Sequence, residues 1–187
     1  MIDFHNHVLP NIDDGSKSID MSLEMMQHAA GQGIMDVVNT VHYQHPKVLT
    51  ENISYQRIQN ELKNFQLELD SNNISIKLHA GAEVFFLPNL CEISGDPLAT
   101  FINGKYMLIE FQVHQIPEIQ KQELFDLKMA GVTPIIAHPE RYRQVQDSIE
   151  FVTEWLEAGC IIQVDAGSPL GHFGSASKLA SEKIIKN

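Results

Sequence analysis

Only two cysteines occur in the 187 residues, Cys91 and Cys160. They lie far apart and neither belongs to a Cys-x-x-Cys, so a disulfide framework is excluded and two reduced thiols are expected. Residues six positions beyond them are Pro97 and Ala166. Neither cysteine therefore opens a Cys-x5-Arg phosphate loop. Gly-x-x-x-x-Gly-Lys-Ser/Thr and Gly-x-Gly-x-x-Gly are also missing, which removes support for nucleotide binding. Positive charge is scarce, with 13 Lys and Arg against 24 Asp and Glu and a net charge of -11. No basic cluster exceeds a pair, so neither nucleic acid nor an anionic membrane is expected as the main partner. Apolar runs are too short to span a bilayer, and the N-terminus has no basic segment followed by an apolar one. A soluble cytoplasmic protein without membrane insertion is expected.

What is present is histidine and carboxylate at repeated places. With 43% apolar residues the chain suffices for one well-cored domain over 1–187. Ile2 to His5 reads as a short buried strand, and the alternation of strand side chains points His5 and His7 the same way. Asp13-Asp14-Gly15 follows in a turn. His-x-His with a carboxylate pair is a ligand set for one metal ion.

Further along, strands and helices alternate. Ser18 to Gly31 reads as a helix whose methionines pack in the core. Met35 to Val41 reads as a strand delivering His42. Thr50-Glu51 opens a long helix with Tyr55, Ile58, Leu62, Phe65 and Leu69 on one face, at helical spacing. Ile74 to Ala80 reads as a strand running into Gly81-Ala82-Glu83, and Pro88 to Gly104 as a loop with a short helix or hairpin. Tyr106 to Phe111 is a strand containing Glu110. A helix from Pro117 to Gly131 leads to strand Val132 to Ala137, which delivers His138 ahead of Pro139-Glu140-Arg141-Tyr142. Asp147 to Ala158 reads as a helix with an Asp147–Glu150 capping box. Cys160 to Asp165 is a sixth strand and Ser175 to Lys186 a last helix.

Alternating strands and helices predict βα units and a parallel sheet. His5, His7, His42, Glu83, Glu110, His138 and Asp165 then fall at or just past strand C-terminal ends, the active-site edge of barrel-like βα folds. Histidine with carboxylate and no thiolate suits Mn, Fe or Zn. Glu83 can bridge two cations, and a metal-bound hydroxide could then hydrolyse a phosphate ester. Arg141 is placed to hold phosphate with its planar fork of donors, the alternative being a surface salt bridge with Glu140. His45 is a weaker candidate for lining the site, and His28, His79, His114 and His172 read as solvated or structurally bonded.

Met1 to Gly15, Thr40-Val-His42-Tyr, Gly81-Ala-Glu83, Leu108-Ile-Glu110-Phe and Ala137-His-Pro-Glu-Arg141-Tyr together resemble the PHP (polymerase and histidinol phosphatase) superfamily. Within it they resemble the manganese-dependent protein-tyrosine phosphatases of bacterial capsule and exopolysaccharide operons, the CpsB/CapC/YwqE group. The resemblance implies a distorted seven-stranded (β/α) TIM-like barrel of α/β class with up to three Mn2+ ions. His5, His7, Asp14, His42, Glu83 and His138 would be ligands, with Glu83 bridging. Glu110 would be a further contact or a proton donor to the leaving phenolate, and Arg141 would bind phosphate. The implied substrate is the phosphotyrosine tail of a cognate bacterial tyrosine kinase that controls polysaccharide synthesis. A homo-oligomer is compatible with the sequence. Val41 stands where the family usually has Pro. Members of the family also continue into a seventh strand with an Asp-x-His motif and a further Arg, whereas this sequence stops at Asn187. A missing last strand, two missing ligands and weakened metal binding are therefore expected. The rival readings are a phosphoesterase for a small ester such as histidinol phosphate, and a catalytically impaired remnant.

Overall fold

The structure is a computed structural model that describes residues 1–48 and 53–186. It is an α/β fold with six strands, and it divides into two compact units. One holds residues 1–83 with 96–99, and the other holds 84–95 with 100–187.

In the first unit, strand β1 (Ile2–Asn6) leads to helix α1 (Ile19–Gly31), strand β2 (Asp36–Tyr43), helix α2 (Tyr55–Ser71) and strand β3 (Lys77–Phe85), which crosses into the second unit at its last two residues. The strands are ordered as in the chain, and β1 runs parallel to β2. Their register slips between Asp3 and Asn6. There Asp3 takes the His5 N–H at 3.1 Å and the Asn6 side-chain amide at 2.9 Å. Ser18 starts α1 by accepting the Met21 N–H on its hydroxyl at 3.1 Å. Only Met26 of the helix's methionines is fully buried, and Met21 is 43% exposed. The expected methionine core is thus narrower than the spacing implied.

Helix α2 is capped by Ser54, while the Thr50-Glu51 start expected for it lies outside the described residues. Ile58, Leu62, Phe65 and Leu69 are buried as the spacing predicts, and Tyr55 stands partly in solvent at the first turn. Each buried aliphatic or aromatic side chain of this stripe contributes ~1.5–3 kcal/mol relative to exposure, so the stripe is what fixes α2. Asn73, in the left-handed region at φ 56°, ends the helix. Strand pairing in β3 begins only at Lys77 and continues through Glu83, three residues later than Ile74. Ile74 and Ile76 are buried in the approach to the strand, which accounts for their alternation.

In the second unit the end of β3 is followed by α3 (Leu90–Ile93), β4 (Tyr106–Glu110), α4 (Gln120–Met129), β5 (Thr133–Ala137), α5 (Arg143–Asp147), α6 (Glu150–Glu157), β6 (Ile161–Gln163) and α7 (Gly174–Lys186). β4, β5 and β6 are parallel neighbours in that order. Met107, Leu108 and Ile109 are wholly buried, as expected of a parallel strand covered on both faces. Helix α4 starts three residues after Pro117, because residues 117–119 form a turn in which Gln120 N–H donates to the Pro117 carbonyl. The predicted helix over 147–158 is split. Asp147 ends α5, Ile149 precedes α6, and no Asp147–Glu150 capping box forms. Trp155 stacks on Phe111 at 5.6 Å between ring centres and donates its indole N–H to Gln120 at 3.0 Å, a core role in agreement with its position. Cys160 is buried and Cys91 exposed, both as free thiols. Among the described residues no helix is long and apolar enough to cross a membrane.

Candidate metal centre

The loop after β1 is built to present His7 and a carboxylate together. Val8 and Leu9 donate their N–H groups to the buried Asn39 side chain at 2.8 and 2.9 Å, which ties the chain to β2. Ser16 N–H then donates back to the His7 carbonyl at 3.1 Å, closing the loop on itself. Gly15 lies so close to His7 that a Cβ there would collide with the His7 carbonyl oxygen and Cβ. Asp13 accepts the Gly15 N–H at 3.0 Å, the turn that Asp two residues before Gly commonly makes. Its other oxygen lies 2.8 Å from His7 Nδ1 and accepts the His42 N–H at 3.2 Å.

Glu83 sits among three histidines of the first unit. Its Oε2 is 3.2 Å from His5 Nε2, 3.1 Å from His7 Nε2 and 3.4 Å from His42 Nδ1, and its side chain is only 2% exposed. Asp14, largely exposed, faces the other nitrogen of His42 at 3.2 Å. His45 stacks beyond His42 with ring centres 4.5 Å apart. One ligand atom each from His7, Asp14 and His42 lies within 4.8 Å of the others, close enough to share an ion.

This donor set fits a divalent cation. His7 has a carboxylate at each ring nitrogen, so without a metal it must carry both protons. Burial by itself would lower its pKa. The hydrogen bonds and charges of Asp13 and Glu83 outweigh burial and push it up to about 10. Burial would likewise raise Asp13, but the His7 hydrogen bond and charge hold its carboxyl below the usual range. For His42 burial dominates and pushes the pKa down, favouring the neutral ring that a metal needs. A cation in place of the His7 Nε2 proton leaves Nδ1–H on Asp13, the carboxylate–histidine–metal arrangement.

The other candidate residues belong to the second unit. Glu110 closes β4, and His138 follows β5 with φ 31°, a left-handed conformation that is costly for histidine. His138 N–H donates to Gln163 at 3.2 Å. The Tyr142 hydroxyl donates to the Ala137 carbonyl at 2.7 Å and accepts the Phe111 N–H at 3.0 Å, so it holds the ends of β4 and β5 together. Arg141 makes no surface pair with Glu140, contrary to the alternative drawn from the sequence. Glu140 is wholly buried and accepts the Asp165 N–H at 3.0 Å and the Ser168 hydroxyl at 2.7 Å. The Arg141 guanidinium instead lies 4.6 Å over the Phe173 ring. Asp165 is a turn residue past β6, accepting the Gly167 N–H at 2.8 Å. His79 pairs with Asp36 at 2.8 Å, a structural role. Sequence reasoning set Asp13 in the carboxylate pair without separating its role from that of Asp14, and it gave Glu140 only as the alternative surface partner of Arg141. The Asp-x-Gly spacing was the available signal for Asp13, and none marked Glu140.

Comparison with known proteins agrees with this chemistry. A family model described as capsular polysaccharide synthesis, CpsB/CapC, matches residues 1–187. CapC of Staphylococcus aureus is 33% identical over 187 residues, covering 99% of this chain and 72% of its own. The tyrosine-protein phosphatase YwqE of Bacillus subtilis is 29% identical over 187 residues, covering 100% and 72%. A chain from the crystal structures of YwqE and of CpsB from Streptococcus pneumoniae, described as unique metal-dependent tyrosine phosphatases, superposes with a TM-score of 0.91. It is 28% identical, and the match covers 100% of this chain and 74% of that one.

Proposed function

The chain belongs to the CpsB/CapC capsular polysaccharide synthesis family, and from that premise we propose that it is a metal-dependent protein-tyrosine phosphatase. The observation that carries the reading is the buried Glu83 oxygen with nitrogens of His5, His7 and His42 within 3.4 Å. Three imidazoles around one carboxylate oxygen form a site for cations rather than a hydrogen-bonding core. His5, His7, Asp14, His42 and Glu83 are assigned as ligands, with Mn2+ as the metal. When bound, divalent ions supply Lewis acidity that activates water and offsets phosphate charge.

The protein's own groups do the rest. Asp13 holds His7 in the tautomer that leaves Nε2 free for the metal. His138 is assigned as a further ligand, and Glu110 gives a proton to the departing phenolate oxygen. Arg141 holds two phosphate oxygens through its fork of N–H donors. Support for these three is their motif match and their place at or just past the C-terminal ends of β4 and β5. The whole of 1–187 is read as one PHP-type domain whose six strands belong to a βα barrel. The substrate is assigned as phosphotyrosine on a bacterial tyrosine kinase, met in the cytoplasm, in keeping with the family's motif strings.

Turnover of a phosphotyrosyl peptide and of histidinol phosphate by the full chain tests the reading. Mn2+-stimulated release of phosphate from the peptide is expected, lost on chelation and in His138→Ala. Preference for histidinol phosphate, or activity that survives chelation, would overturn it.

A further inference from the structure

Two loops of the second unit are locked together, and the lock ends on Arg141. The turn after β5 carries Glu140, whose carboxyl is wholly buried. Its Oε1 takes both the Asp165 N–H and the Ser168 hydroxyl, at 3.0 and 2.7 Å. Residues 165–174, which follow β6, are thereby pinned to the β5 turn at one end. Their own turns are closed by His172 N–H on the Gly167 carbonyl and Gly174 N–H on the Gly171 carbonyl, each at 3.1 Å. Gly171 and Gly174 adopt φ 88° and 90°, which lets so short a segment double back. Phe173 emerges from this folded segment with 43% of its surface exposed, and its ring lies under the Arg141 guanidinium.

These hydrogen bonds fix the backbone on either side of Phe173, and they hold its half-exposed ring against Arg141. A long arginine side chain loses considerable rotamer entropy when it must wait in one pose for an anion. A ring beneath the guanidinium plane attracts the cation while leaving the in-plane N–H fork free for phosphate oxygens.

We propose that Phe173 is a positioning residue for phosphate recognition, holding Arg141 in its binding pose, and that Glu140 anchors the loop that carries it. This rests on the assignment of Arg141 to phosphate. Phe173 acts through Arg141 and touches no reacting atom.

The test is a double-mutant cycle on the full, Mn2+-loaded chain. It reads KM and kcat for a phosphotyrosyl peptide, with the affinity for inorganic phosphate measured by titration. Phe173→Leu keeps apolar bulk without a π face and should raise KM and the phosphate dissociation constant about five-fold, with kcat within about two-fold. Phe173→Trp, whose face attracts cations best, should restore both. In an Arg141→Ala background, Phe173→Leu should add nothing. Additive losses, or a leucine variant equal to the parent, would overturn the proposal while leaving the role of Arg141 intact. If Arg141→Ala itself leaves KM and phosphate affinity unchanged, the assignment of Arg141 is what has failed, and the proposal falls with it. Glu140→Ala, which frees the loop, should reproduce the KM rise, and Glu140→Gln, which keeps an acceptor at Oε1, should not.

Discussion

His7 Nδ1 and Asp13 Oδ2 lie 2.8 Å apart, and the carboxylate that receives this nitrogen also accepts the backbone N–H groups of Gly15 and His42. Asp13 therefore fixes the ring of one proposed ligand and the main chain of another. Outer carboxylates of this kind typically account for 10–100-fold in metal affinity. Asp13→Asn should weaken Mn2+ binding by about ten-fold or more, as read by calorimetric titration, even though Asp13 is assigned no metal bond. An unchanged dissociation constant would remove Asp13 from the site.

Metal uptake should be coupled to proton loss at His7. The metal-free ring keeps both protons up to about pH 10, whereas a ligating ring must give one up. Between about pH 7 and 9, Mn2+ binding should release close to one proton, and apparent affinity should rise about ten-fold per pH unit. Titrations in buffers of different ionisation enthalpy measure this directly. Without metal, the sign for stability is opposite. His7 is raised from 6.5, so its contribution is complete below pH 6.5 and is lost as pH rises towards about 10. Asp13 is lowered from 3.8, so its contribution is present above that value and is lost in stronger acid. The chelated protein should accordingly melt at lower temperature at pH 9.5 than at pH 6.5. A flat profile would show that the His7 ion pairs do not form.

The side chains now gathered about Glu83 were legible in the sequence because each stands near the C-terminal end of a strand, where periodicity and residue type can be read together. That legibility stopped at groups acting through other groups. Asp13 and Asp14 are chemically alike, and only the fold turns one inward to His7 and leaves the other exposed at His42. Glu140 sits in a polar string that reads as surface, yet it is buried because the loop after β6 brings two donors to it. Helix starts were misplaced where two local signals compete. Pro117 can open a helix, but a turn uses it first, and Asp147 can cap a helix, but it ends the preceding one. The start of β3 was placed early because Ile74 and Ile76 are buried without pairing, and burial is what alternation reports.

Tyr142 offers a stability test independent of metal. Its buried hydroxyl serves the carbonyl before His138 and the N–H after Glu110. Tyr142→Phe leaves both without this partner, at a cost of about 1–3 kcal/mol. For a chain of this size that corresponds to a fall of roughly 2–12 °C in melting temperature. Calorimetry of the chelated protein would measure it. A melting temperature within about 1 °C of the parent would mean that the hydroxyl does not bridge the two strand ends.

Gly15 separates the demands of the metal loop from those of the fold. A methyl at this position meets the His7 carbonyl oxygen and Cβ, with the His7 carbonyl carbon a further 3.0 Å contact. None of these is the far end of a flexible side chain, so the loop must move and carry His7 with it. Gly31, at the end of α1, has nothing within 4 Å of such a methyl, and alanine there should be neutral or stabilising by about 0.5–1 kcal/mol. Gly15→Ala should therefore lose Mn2+ affinity by about ten-fold or more, the scale expected when a ligand and its outer carboxylate are displaced together, whereas Gly31→Ala keeps it. Metal content after dialysis and calorimetric titration of the two variants distinguish them. Equal affinities would mean that the loop can yield without moving His7, and the close packing of Gly15 would then have no part in building the centre.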